Sequence, residues 1–134
     1  MGGHLHIHFH EKKPSIQEDL NTFLQFEEFS KEQVVDVLHK MDSYLSYFFE
    51  SFSKIFKDAI KAIEKQEIHK SITLLQQGLE EITFHHISLN EVYESSYIEY
   101  FDATKCFPLS EVVLHSIISN FTISYNKECI EILS

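Results

Sequence analysis

The sequence predicts a mainly α-helical fold: a compact bundle of about four or five helices, with a small β element contributed by the chain ends. Three observations lead there. Apolar residues recur at alternating spacings of four and three over two long stretches, as in helix seams packed in a bundle. Two short patterns, Ser15-Ile-Gln-Glu18 and Ser30-Lys-Glu-Gln33, have the form of capping boxes at helix starts. Period-two alternation, the mark of a half-buried strand, is confined to the two termini. At 134 residues the chain makes one helical domain spanning residues 1–134.

In chain order, residues 4–10 read His-Leu-His-Ile-His-Phe-His. Leu5, Ile7 and Phe9 then share one face of a strand, and His4, His6, His8 and His10 the other. Pro14 ends this segment, and the first capping box opens a short helix from about Ile16 to Glu28, with Leu20, Phe23 and Leu24 inward. After the second box, Val34, Leu38, Met41, Leu45, Phe48, Phe52, Ile55 and Ala59 form one continuous seam, continued by Ile63 one residue late. With no Gly or Pro before about Gln66, the spacing predicts one long helix over 31–66. Ile68, Ile72, Leu75, Leu79, Ile82 and His86 repeat the pattern over about 68–88. The two helices pair antiparallel across a tight turn near Lys65–Glu67, a single bent helix being the other arrangement the spacing allows.

Asn90 can cap a shorter segment, Glu91–Asp102. Pro108 then breaks the chain, and Leu109–Phe121 resumes as an amphipathic helix with Val113, Leu114, Ile117, Ile118 and Phe121 inward. Residues 122–133 admit two readings. Phe121–Tyr125 and Glu128–Leu133 can form a hairpin around Asn126-Lys127, with Glu128–Leu133 pairing with residues 4–10, or the stretch can be a final helix.

Composition narrows the function classes. Eleven basic residues, all Lys, oppose 21 acidic ones for a formal charge of −10, so nucleic-acid phosphates would be repelled. No basic-then-apolar leader opens the chain and no apolar run approaches the ~20 residues of a membrane span, so a cytoplasmic protein without a membrane partner is expected. Cys106 and Cys129 make neither a disulfide framework nor a zinc-type spacing.

The residues that could carry chemistry do not assemble into a catalytic set. Four alternate histidines could chelate Ni, Cu or Zn, which makes His4, His6, His8 and His10 weak metal candidates. A purification tag or a solvent-facing strand surface has the same pattern. Glu81/His85, Glu111/His115 and Asp36/His39 put a carboxylate and an imidazole on one helix face, but off the apolar seams, as surface pairs worth a few tenths of a kcal/mol. His86 alone sits on a seam, as a hydrogen-bonded core histidine. Gly2, Gly3 and Gly78 cannot make a phosphate loop, and nothing places a base beside Cys106. No enzymatic activity, cofactor or metal is therefore expected.

Charge distribution is the most informative feature. Residues 1–67 carry 12 acids and 8 Lys, net −4, whereas residues 68–134 carry 9 acids and 3 Lys, net −6. No Lys occurs between Lys70 and Lys105. Within that gap Glu91, Glu94, Glu99 and Asp102 interleave with Tyr93, Tyr97 and Tyr100. Aromatic rings supply rigid contact area and the carboxylates steer a basic partner, so these seven residues form the predicted partner-binding segment. The alternative is a solvated acidic surface whose Tyr rings close the core. A small, acidic, helical domain without catalytic residues matches the physical class of colicin-type immunity proteins, although none of their sequence motifs is present. The expected function is thus an immunity protein or antitoxin that masks a basic toxin domain, often a nuclease. A His-strand metal-binding protein and a phage or bacterial regulatory adaptor are the alternatives, and a homodimer is compatible with either.

Overall fold

A computed structural model describes residues 16–92 and 97–133, with side chains for residues 16–87 and 103–127. The described residues form α1 (Gln17–Phe23), α2 (Lys31–Phe48), α3 (Ser51–Glu64), α4 (Ile68–Val92) and α5 (Tyr97–Leu133). The last four helices run alternately up and down, each packed on the next, and α1 closes the bundle by resting on α5 and α2. The antiparallel sense is visible in single contacts. Lys31 at the start of α2 donates to the Glu64 carbonyl at the end of α3 (3.3 Å), and His69 near the start of α4 meets the ring of Tyr125 late in α5.

The seams read from the sequence become the core. Leu20, Val34, Leu38, Met41, Leu45, Phe52, Ala59, Leu75, Ile82, Val113, Leu114 and Ile117 are fully buried. At the second capping box, the Ser30 hydroxyl accepts from the Gln33 N–H (3.1 Å) and the Gln33 side chain accepts from the Ser30 N–H (2.9 Å). The turn at residues 65–67 also forms, with Gln66 in the left-handed region at φ 62°, so that the chain reverses between α3 and α4.

Several expectations are corrected. The helix expected over 31–66 is two helices, α2 and α3, because Phe49 leaves helical geometry (φ −143°, ψ 115°). Its ring is drawn onto His85 and the buried Phe107, a packing gain that local periodicity does not register. The helix expected to reach Glu28 stops at Phe23. Glu27 and Glu28 would lie unfavourably at its negative end, and Phe29 folds back to stack on Phe23 with centroids 4.4 Å apart. Asn90 does not cap a new helix, since α4 continues through it to Val92 and α5 starts only at Tyr97. Pro108 does not break the chain but lies inside α5. Its neighbours Cys106, Phe107 and Ser110 are buried, and their packing offsets the roughly 3 kcal/mol that an interior proline costs.

The small β element is not supported: no strand occurs among the described residues, and 122–133 is helical to Leu133. Asn126-Lys127 lacks the glycine that favours a two-residue hairpin, and Thr122 bonds back to the Ile118 carbonyl (2.7 Å) within the helix. A pairing of residues 4–10 with a strand at 128–133 is therefore ruled out, while 4–10 themselves lie outside the described residues. Finally, the stretch Ala103–Lys127 of α5 is apolar enough, by length and composition, to cross a membrane, contrary to the expectation that no run was. Its apolarity is accounted for in part by Val113, Leu114 and Ile117, which fill the bundle core.

Candidate functional site

The sequence-predicted segment is divided between two helices. Glu91 lies in the last turn of α4, and Tyr97, Glu99, Tyr100 and Asp102 lie in the first two turns of α5. Tyr93 and Glu94 fall outside the described residues, as do the side chains of all seven. The backbone nevertheless brings Glu91, Tyr97, Glu99, Tyr100 and Asp102 to one end of the bundle, at the close of α4 and the start of α5. His4, His6, His8 and His10 also lie outside the described residues, and no group of three or more His, Cys, Asp or Glu suited to a metal ion occurs among the described ones.

That end is built on an aromatic floor. Phe52 and Phe107 are fully buried, and Phe107 meets Phe48, Phe52 and His86 edge-on at 6.3, 6.4 and 6.3 Å. His85 lies flat on Phe49, and its imidazole is 3.4 Å from Glu81. Burial pushes the His85 pKa below the usual histidine range, and the neighbouring Glu81 carboxylate only partly counteracts it. Glu81 and His85 are thus paired as expected, yet the imidazole is a packed ring with a side chain only 16% exposed. Glu111 and His86 meet at 3.3 Å across α4 and α5, and Asp36 pairs with Lys40 (3.1 Å). His86 is accordingly half-buried and bonded to a partner on the next helix.

Phe49 marks the corner between α2 and α3, so its stack on His85 sets the level of that corner along α4. The helix continues for residues 86–92, about 10 Å at 1.5 Å per residue, beyond it. The end of α4 therefore lies beyond the α2–α3 corner. On the way to it, Phe84 is 64% and Ile87 59% exposed, and Glu80 is exposed beside them. Positions 80, 84, 87 and 91 are spaced four, three and four apart, and so share one face of α4. Sequence reasoning missed Phe84 and Ile87, although this spacing, off the buried seam, was the available signal.

It also missed a positive stripe elsewhere. Lys54, Lys57 and Lys61 recur at three and four on the exposed face of α3, followed by Lys65 in the turn and Lys70 on α4. Residues 51–70 hold 5 Lys and 3 acids, net +2, in a chain of net −10. Lys54, bonded at 2.9 Å, together with Lys61 and Lys70 holds the Asp58 carboxyl below its usual pKa. Charge is thus segregated, with the basic stripe on α3 and acids with exposed apolar groups on outer α4. No protein-family model, curated protein or solved structure matches this chain.

Proposed function

We propose that the protein is a small acidic inhibitor that binds a basic protein domain and blocks it by occlusion, as an immunity protein or antitoxin does to a nuclease-type toxin. The observation that carries this reading is the exposed Phe84–Ile87 pair beside Glu80, on the helix that leads into the acidic Tyr segment. Exposed rings flanked by carboxylates combine a desolvating contact with electrostatic steering. The lysine stripe on α3 would repel a basic partner, which favours approach at the α4–α5 end. No chemistry of the inhibitor's own is required.

The test uses the full chain as bait in extracts of its source organism. The expected capture is a basic protein whose activity is abolished at one-to-one stoichiometry, and Phe84→Glu with Ile87→Glu should lose the capture while keeping the fold. With the purified pair, Glu94→Gln or Glu99→Gln should mainly slow association, and Tyr93→Ala or Tyr97→Ala mainly speed dissociation, by about 2 kcal/mol for a central ring. A captured partner that stays fully active, or that binds the Phe84/Ile87 variant equally well, refutes the reading.

A further inference from the structure

At the opposite end of the bundle, where α3 turns into α4, a half-open cleft of about 400 Å³ lies between helices distant in sequence. Its apolar walls are Phe29, Ile63, Ile68 and Phe121. Phe29 is held in place by its stack on Phe23. Asn120 and Ser124, one turn apart on α5, contribute an amide and a hydroxyl, and Lys31 contributes an ammonium. Among the described residues every other one lining the cleft is uncharged, so in a chain of net −10 this part of the wall has one cation and no carboxylate.

We propose that this cleft binds a small organic anion with an apolar, preferably aromatic, body: a monocarboxylate of about a dozen non-hydrogen atoms, suited to a pocket near the small end of the ~300–1,000 Å³ range of ligand sites. The Lys31 ammonium has three N–H donors, and one is directed to the Glu64 carbonyl at 3.3 Å, which orients the group. A ligand carboxylate takes the others, while the two phenylalanine rings accept the body face-on or edge-on. The capping box at Ser30 and Gln33 fixes the start of α2 and hence the root of the Lys31 side chain. The site is independent of the α4–α5 end and does not rest on the inhibitor reading.

Two-dimensional amide NMR on the full chain tests it, with phenylacetate and its uncharged analogue phenylacetamide as probes. Saturable shifts should centre on the amides of 29–31, 63–71 and 120–124. The acid should bind at least about tenfold more tightly than the amide, the worth of one charge-assisted hydrogen bond. Lys31→Met should lower affinity for the acid to that for the amide, and Ser124→Phe, which fills an exposed edge of the cleft, should weaken both. Absence of saturable shifts, shifts centred elsewhere, or equal binding of acid and amide in the unmodified chain would overturn the proposal. So would a Lys31→Met variant that kept its preference for the acid.

Discussion

The imidazole of His85 lies flat on the ring of Phe49, with centroids 3.8 Å apart and planes 14° from parallel. One residue comes from the middle of α4 and the other from the corner where α2 gives way to α3. The stack ties the corner to the helix that carries the candidate interface, and it makes stability pH-dependent. Because the fold lowers the His85 pKa, chiefly by burial, it favours the neutral ring. The contribution is then complete above the ordinary value of 6.5 and declines as the pH falls below it, where the unfolded chain takes up the proton more readily. Thermal melts between about pH 8 and pH 5 should show this loss, and His85→Phe, which keeps a ring without the proton, should lose less. Parallel pH profiles for the two proteins would contradict this assignment.

Gly78 is a helix-interior glycine with room for a methyl group. A Cβ there would meet Ile55 at 3.5 Å, Phe56 at 3.7 Å and Leu114 at 3.8 Å, all ordinary contacts. Gly78→Ala should therefore stabilise the protein by roughly 0.5–1 kcal/mol, through lower unfolded-state entropy and added packing. Gly78→Leu should instead overpack the α3–α4–α5 contact and cost about 1–3 kcal/mol. Denaturant titration of both variants checks the change of sign.

Phe107 and Phe84 should respond in opposite ways. Phe107 is fully buried and touches rings from α2, α3 and α4, so Phe107→Ala should cost about 3–5 kcal/mol, enough to unfold a marginal domain. Phe84 is 64% exposed, so Phe84→Ser should change stability by no more than about 0.5 kcal/mol. A large loss of stability in Phe84→Ser would show that the ring serves packing and not recognition. Calorimetry on the two variants separates these roles.

Ser30 and Gln33 satisfy each other's backbone N–H groups at the start of α2. Ser30→Ala should cost roughly 1 kcal/mol, and the double variant with Gln33→Ala less than the sum of the singles, since each bond supports the other. Additive losses in a double-mutant cycle would show the two bonds to be independent.

Much of the architecture was readable from residue order alone, because its signals are local. The seam from Val34 to Ala59 and the run from Ile72 to Ile82 bury the residues their spacing selects, with Phe48, Ile55 and Leu79 only partly covered. The Ser30 cap and the reversal at 65–67 follow from chemistry within a few residues. The negative charge of the stretch after Lys70 was equally plain, as a count. What tertiary contact decided lies wherever a distant residue outweighs local preference. The seam runs unbroken through Phe49, yet the helix breaks there because His85 and Phe107 offer that ring a better site than the next helical turn. Pro108 stays helical because Phe107 beside it is anchored in the core, and Glu111 turns from His115 in its own helix to His86 in the next. The exposed Phe84–Ile87 face is what the neighbouring helices leave uncovered on α4, and the Lys31 cleft exists only where the start of α2, the α3–α4 turn and residues 120–124 of α5 meet. Spacing within a helix reports which residues share a face, but which faces are covered depends on the relative lengths and offsets of the helices, and those are set by packing between residues far apart in the chain.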